Sequence, residues 1–243
     1  MQYYTIGIIN LCFNFKMNYL IVSDTHLRKE FDRKKFLFLK KLFEKYQNII
    51  IVGDFYEGYS LTFEDLFKGP WKKILDILKK KNSIYLYGNH DYYDKKNELL
   101  IKKIFKIYQE DFSINIGKKT FYFHHGFKFL KTIDIKFKFY LLPKFITDFM
   151  IDKINYYQKH KIRAIQYKKN LNKIFLEKDT VKSIKKIKEI FSKRNFWVVF
   201  GHTHNRMIDY KEKIANAGFI DYRYASFLTI SKTGKIKLHQ KTY

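Results

Sequence analysis

A chain of 243 residues is long enough for one substantial α/β domain with a full core, and that length argues against two equal domains. Its single cysteine, Cys12, excludes an intramolecular disulfide and a cysteine-based zinc site, which fits a reducing, cytoplasmic setting. A formal charge of +26 points to polyanions as partners: nucleic acid, an anionic membrane surface or phosphorylated substrates, with compositional drift as the alternative source of many lysines.

Met1 to Lys16 is apolar, yet it lacks a basic lead and a small-residue cleavage site and falls short of the roughly 20 residues of a spanning helix. It reads as an extension, residues 1–16, with Met17 as an alternative start ahead of a domain over 17–243. From there, strand-like runs over Tyr19–Ser23, Asn48–Gly53, Ser83–Tyr87, Thr120–His124 and Phe196–Phe200 alternate with longer helical patterns. Phe36, Leu39, Phe43 and Tyr46 recur at helical spacing between the first two runs and predict an amphipathic helix packed on a sheet.

Residues 127–195 lack a strand series and carry nineteen Lys or Arg against six Asp or Glu. They read as a helical insertion that caps the core. After Phe200 come short strands around Lys213–Asn216, Tyr224–Ile230 and Lys235–His239. Ser231-Lys232-Thr233-Gly234 makes a hairpin turn between the last two.

Five islands fall where strand-like runs end: Asp24-Thr25-His26, Gly53-Asp54, Gly88-Asn89-His90-Asp91, His125-Gly126 and Gly201-His202-Thr203-His204. Carboxyl-terminal strand ends are where α/β sheets bind ligands. The islands supply carboxylate, imidazole and amide ligands, a set suited to divalent manganese, iron or zinc, without thiolate. Singly, a strand-end histidine or a Gly-Asp turn is more often structural; the ordered set of five is not.

The order D-x-H, G-D, G-N-H-D, H-G, G-H-x-H resembles the calcineurin-like metallophosphoesterases from Asp24 to His204. The resemblance implies an α/β fold, a four-layer α/β/β/α sandwich, with two divalent metals at one edge of its sheets. Manganese is the first expectation, iron and zinc the alternatives. It further implies that Asp24, His26, Asp54 and His204 hold one metal and Asp54, Asn89, His125 and His202 the other, with Asp54 bridging. A bridging carboxylate keeps two cations about 3.5–4 Å apart, where they clamp a phosphate and activate water for in-line attack.

His90, directly after Asn89, is expected to stabilise the transition state or act as general acid. Asp91 is expected to hold the other ring nitrogen of His90, with a turn cap as the alternative. His124, on the opposite strand face from His125, reads as structural. His160 and His239 read as surface residues.

Within the family, a helical insertion at 127–195 resembles the UDP-2,3-diacylglucosamine diphosphatases of lipid A synthesis, which implies a UDP-linked glycolipid substrate and a peripheral place on the inner membrane face. Lys136, Lys138, Phe145 and Phe149 are the expected lipid contacts, within an apolar series running on through Ile146, Met150 and Ile154. The same series also fits a core-facing helix stripe. His90 stands where that subfamily often has Arg, and Phe127 where its fourth motif has Asp. The alternatives are a soluble nucleotide phosphodiesterase or phosphatase, and a nuclease-type member whose charge contacts phosphates.

Overall fold

A computed structural model describes residues 18–91, 94–128, 161–169, 178–191 and 195–243. Two sheets carry it. In the first, strands β1 (Tyr19–Val22), β2 (Asn48–Val52), β3 (Asn82–Leu86) and β4 (Ile107–Gln109) run parallel side by side. Strand β11 (Tyr224–Ile230) pairs antiparallel with β1 and with the short β10 (Ile220–Asp221) on one side, and with β12 (Ile236–Thr242) on the other. The second sheet has the order β5 (Asp111–Ile116), β6 (Lys119–His124), β7 (Trp197–Phe200), β9 (Ile214–Asn216) and β8 (Met207–Asp209). There β6, β7 and β9 are parallel.

Side chains alternate across a strand, and this alternation assigns the layers. Tyr19, Ile21, Ile50, Val52, Ile84 and Leu86 pack against Phe112, Ile114, Phe121, Phe123, Trp197 and Val199 of the other sheet, which forms the inner core. The intervening residues Leu20, Val22, Ile49, Ile51 and Tyr85 face outward. They are covered by α1 (Arg33–Lys45), α2 (Phe63–Lys68), α3 (Lys72–Lys79) and α4 (Glu98–Lys102), which contribute Leu39, Phe43, Leu66, Ile74, Leu78 and Ile101. On the far side Tyr122, Val198 and Phe200 pack against Ile187 of α6 (Lys178–Ile190). The helix–sheet–sheet–helix order is the expected sandwich. Each fully buried Leu, Ile or Phe contributes about 1.5–3 kcal/mol to it.

The first helix begins where its sequence pattern asks. Asp32 caps it, accepting from the backbone N–H of Lys34 and Lys35, and also takes Arg223 Nη1 at 2.6 Å. Leu39 and Phe43 are buried, as spaced; Lys35, one turn earlier on the same face, is buried too, its ammonium reaching Asp221. Partial burial works against the Asp32 carboxylate, but the bonds from Arg223 and Lys35 N–H outweigh it and hold its pKa below the ordinary value. Asp32→Ala is expected to cost about 1 kcal/mol, or about 2–4 °C in Tm for a chain of this size. A depressed folded pKa adds its full stability above the unfolded value near 4 and loses it as pH falls from there through the lower folded value, so the wild-type advantage should shrink over that range. Thermal unfolding of both proteins at pH 7 and pH 3 checks this; an equal gap at the two pH values would refute the carboxylate's part.

Strands β4, β5, β8 and β10 are additions to the pattern read from sequence. The Ser231–Gly234 turn is present, with Gly234 at φ 77° and its N–H donating to Ser231 O. The strand after it runs to Thr242, beyond the expected His239. Between β6 and β7, 161–169 (α5) and α6 are helical, and α6 belongs to the outer layer of the sandwich rather than to a separate cap. Lys136, Lys138, Phe145, Phe149, His160 and residues 1–17 lie outside the described residues. Among the described residues no helix is long and apolar enough to cross a membrane.

Candidate metal centre

Five parallel strands end at one edge, and each delivers one island. Asp24 follows β1, Asp54 follows β2, Gly88 follows β3, His125 follows β6 and Gly201 follows β7. Backbone bonds tie the ends together: Asp24 N–H donates to Gly53 O at 3.1 Å, His26 N–H to Asp54 O at 3.0 Å, and Gly201 N–H to His125 O at 3.0 Å.

Each chain turns abruptly as it leaves its strand. Asp24, His26, Asp54, His202 and His204 take φ of 51°, 41°, 51°, 63° and 56°. Asp and His visit this left-handed region more readily than most residues, yet each instance costs on the order of 1–3 kcal/mol and clusters at functional sites. Gly88 and Gly201 admit the resulting close approach: a Cβ on Gly88 would collide with Asp54 Oδ1, and one on Gly201 with Ser23 and Asp24.

The side chains converge in two groups. In one, Asp24 Oδ1 lies 3.0 Å from His204 Nε2, and His26 Nε2 lies 3.2 Å from His204 Nε2 and 4.0 Å from both Asp24 Oδ1 and Asp54 Oδ2. In the other, His125 Nε2 is 3.1 Å from Asp54 Oδ2 and 3.2 Å from Asn89 Oδ1, which is 2.9 Å from His202 Nδ1. Ligand atoms each about 2.1 Å from one ion sit roughly 3–4 Å apart, so both groups fit a cation. Except for Asn89, these side chains are nearly inaccessible.

The electrostatics agree with that fit. Burial by itself disfavours a charged His125, but Asp54 and Asp24 outweigh it and push its pKa up to about 10. The carboxylates therefore favour a positive charge between them. Burial, then the neighbouring imidazoles, push His202 down to about 4, and burial with His26 takes His204 well below its ordinary value, so both are neutral with a lone pair to offer. His125 Nδ1 faces Val52 O at 2.8 Å, so Nδ1–H donates there and Nε2 is left for a metal.

The expected role of Asp91 needs correction. It does not reach the His90 ring: its carboxylate accepts from the N–H groups of Asp54, Phe55 and Gly88 and from the Tyr85 hydroxyl. It is a turn cap that fastens the third island to the second, and burial with Asp54 close by lifts its pKa to about 6. The partner of His90 is Glu57, whose Oε1 is 2.7 Å from His90 Nδ1 and whose Oε2 is 3.4 Å from His26 Nδ1. Burial works against the Glu57 carboxylate, but those two histidines outweigh it and hold it charged. The spacing Gly53-Asp54-x-x-Glu57 was the available signal, since a carboxylate three residues past a site residue can turn back toward it.

His124 faces away from His125, 3.2 Å from Glu110, as its strand position requires. Phe127 is buried and stacks on the His124 ring at 5.7 Å. His239 is half-buried against Phe227 rather than on the open surface. A residue without any sequence signal is Arg163 on α5, which donates from Nη1 to Thr203 O at 3.0 Å. Tyr167 of the same helix donates to Asn205 Oδ1 and lies beneath the Arg206 guanidinium at 3.5 Å. Helix α5 thereby braces the Gly201–Asn205 loop.

A two-sheet sandwich with Asp, His and Asn converging at its strand ends defines a metal-dependent phosphoesterase. Residues 17–206 match the calcineurin-like phosphoesterase family, and the chain belongs to it. No curated protein matches the chain. Among solved structures it is similar to Vps29 of Entamoeba histolytica complexed with zinc, at 13% identity over 93% of this chain and 99% of that one, TM-score 0.43. It is also similar to the E. coli phosphoesterase Yfce, at 15% identity over 93% and 99%, TM-score 0.44. The nuclease MPE of Pseudomonas putida is similar at 20% identity over 38% of this chain and 48% of that one, TM-score 0.28.

Proposed function

We propose that the chain hydrolyses phosphoester or pyrophosphate bonds with two divalent ions, one on Asp24, His26, Asp54 and His204 and one on Asp54, Asn89, His125 and His202. The observation that carries this is Asp54 Oδ2, which lies 3.1 Å from His125 Nε2 and 4.0 Å from His26 Nε2, so that one oxygen faces both ligand groups. When bound, such ions polarise phosphoryl oxygens and acidify water. Manganese is the first choice, because an Asp/His/Asn set without thiolate suits it, with iron and zinc accepted by the same donors.

His90 supplies the proton. Its Nδ1 is held by Glu57, and its Nε2 lies 4.0 Å from Asp54 Oδ2, facing the site. A protonated His90 donates from Nε2 to the leaving oxygen, while Glu57 accepts Nδ1–H and stabilises the imidazolium.

For the substrate we favour a UDP-linked diacylglucosamine, hydrolysed at its pyrophosphate by an enzyme resting on the inner membrane face. The support is the insertion's nineteen basic against six acidic residues and the apolar series that includes Phe145 and Phe149, beside Lys136 and Lys138. A soluble nucleotide phosphodiesterase or phosphatase is compatible with the same metal centre. The +26 charge favours a second reading, nuclease action.

Chelation followed by readdition of Mn²⁺ should remove and restore hydrolysis of bis(p-nitrophenyl) phosphate. The metal-loaded protein should prefer a diacylated UDP-sugar to its deacylated form and co-sediment with anionic vesicles at low salt. Activity that survives full metal removal defeats the metal centre. Indifference to vesicles with salt-sensitive cleavage of single-stranded DNA transfers the assignment to the nuclease reading.

A further inference from the structure

Beside the first ligand group, the chain carries a charged arrangement that metal binding does not require. Arg28 follows His26 by two residues, and its Nη2 donates to Asp221 Oδ2 at 2.6 Å. Asp221 divides its charge, because Lys35 Nζ donates to its other oxygen at 3.1 Å and also lies 3.4 Å from His26 O. Lys35 is buried, whereas the Arg28 side chain is 26% exposed, so the cationic surface of this network is presented by Arg28.

The Tyr222 ring faces that guanidinium, with Arg28 Cζ 5.4 Å from its centroid. Tyr222 and Arg223 form the tip of the β10–β11 hairpin with φ of 50° and 64°. Turns of that form ordinarily use Asn-Gly or Asp-Gly, so a Tyr-Arg pair is strained. The turn is held in place by Lys168 Nζ donating to Tyr222 O at 3.1 Å, Tyr243 N–H to Arg223 O, and Arg223 to Asp32. Strain maintained by that many contacts is a mark of function. The hairpin also adjoins the metal centre, since Ile220 N–H donates to Asp24 O at 3.2 Å.

We propose that Arg28 and Tyr222 form an anion subsite beside Asp24 and His26 that takes a second, non-scissile phosphate of the substrate. It rests on the phosphoesterase reading above and narrows it to substrates carrying two phosphates. A guanidinium presents a planar donor fork suited to a phosphate. The Tyr222 hydroxyl is kept protonated, its pKa pushed up to about 12 by burial and by Asp221, and so remains a donor.

The test compares wild type, Arg28→Gln, Arg28→Lys and Tyr222→Phe, all loaded with Mn²⁺ and checked for metal content. UDP-glucose, with two phosphates, is set against bis(p-nitrophenyl) phosphate, with one, and calorimetry compares pyrophosphate with inorganic phosphate. Loss of one charge-assisted contact corresponds to about a tenfold change. In Arg28→Gln, the ratio of kcat/KM for the two substrates should fall about tenfold, mostly through KM. The preference for pyrophosphate over phosphate should fall with it. Arg28→Lys should recover part of both, and Tyr222→Phe, which leaves the Asp221 ion pairs intact, should show a smaller loss. Equal losses on one- and two-phosphate ligands in Arg28→Gln and Tyr222→Phe, or no loss, overturn the subsite. A wild type inert on every phosphoester overturns the phosphoesterase reading instead, while the pyrophosphate comparison still decides the subsite.

Discussion

Asp54→Asn should retain about one-thousandth of wild-type turnover or less and bind fewer than two metal ions per chain. The substitution is a sparing one for the backbone, because asparagine accepts the left-handed φ of 51° that Asp54 holds. Its amide oxygen can also still accept the His90 N–H, now bound to Oδ1 at 2.9 Å. What disappears is the charge. Burial opposes the Asp54 carboxylate, but His125 and His90 beside it outweigh burial and hold its pKa well below the ordinary range. On the proposed assignment that charge also lies between two cations. Metal stabilisation of the transition state amounts to several kcal/mol, and each 1.36 kcal/mol is a factor of ten, hence about a thousandfold. Initial rates on bis(p-nitrophenyl) phosphate and metal per chain by mass spectrometry decide it. Wild-type rate with full metal content would end the bridging role.

His90→Asn should lower kcat by about 10²–10⁴ while metal content stays at the wild-type level, the range expected when a positioned general acid is lost. The deficit should grow with the pKa of the leaving group, because a good leaving group needs no proton. Glu57→Gln separates two functions that share one carboxylate. By removing the negative charge 3.4 Å from His26 Nδ1 it should weaken metal affinity about 10–100-fold. By removing the anion beside His90 it should also move the basic limb of the rate–pH profile to lower pH. A carboxylate favours the protonated imidazole, so its loss lets the proton leave sooner. Metal loss in His90→Asn would make His90 a ligand. An unmoved pH limb in Glu57→Gln would detach Glu57 from the proton transfer.

The difference between Asp91 and Glu57 shows where reading a sequence stops. Asp91 adjoins His90 in the chain and was the natural partner for its ring, but after Gly88 the chain reverses and carries that carboxylate back under the end of β2. There the N–H groups of Asp54 and Phe55 occupy it. Glu57 lies 33 residues from His90 and meets it only because β2 and β3 are neighbours. Likewise β4, with three residues, and β10, with two, are too short to show an alternation, and their pairing with β3 and β11 makes them strands.

By itself the sequence determined the donor types, their order along the chain and their place at strand ends, together with the central strands, the first helix and the last hairpin. These follow from interactions within a few residues: the two-residue strand period, a cap such as Asp32, and islands where a strand stops beside a glycine. Only the tertiary structure decided the distances at which these donors meet, that Glu57 rather than Asp91 holds His90, that Arg163 braces the Thr203 carbonyl and that Arg28 meets Asp221. Those outcomes depend on which loops the two sheets bring to one edge, because a side chain's partner is set by distance in space, over which local chain preferences have no hold.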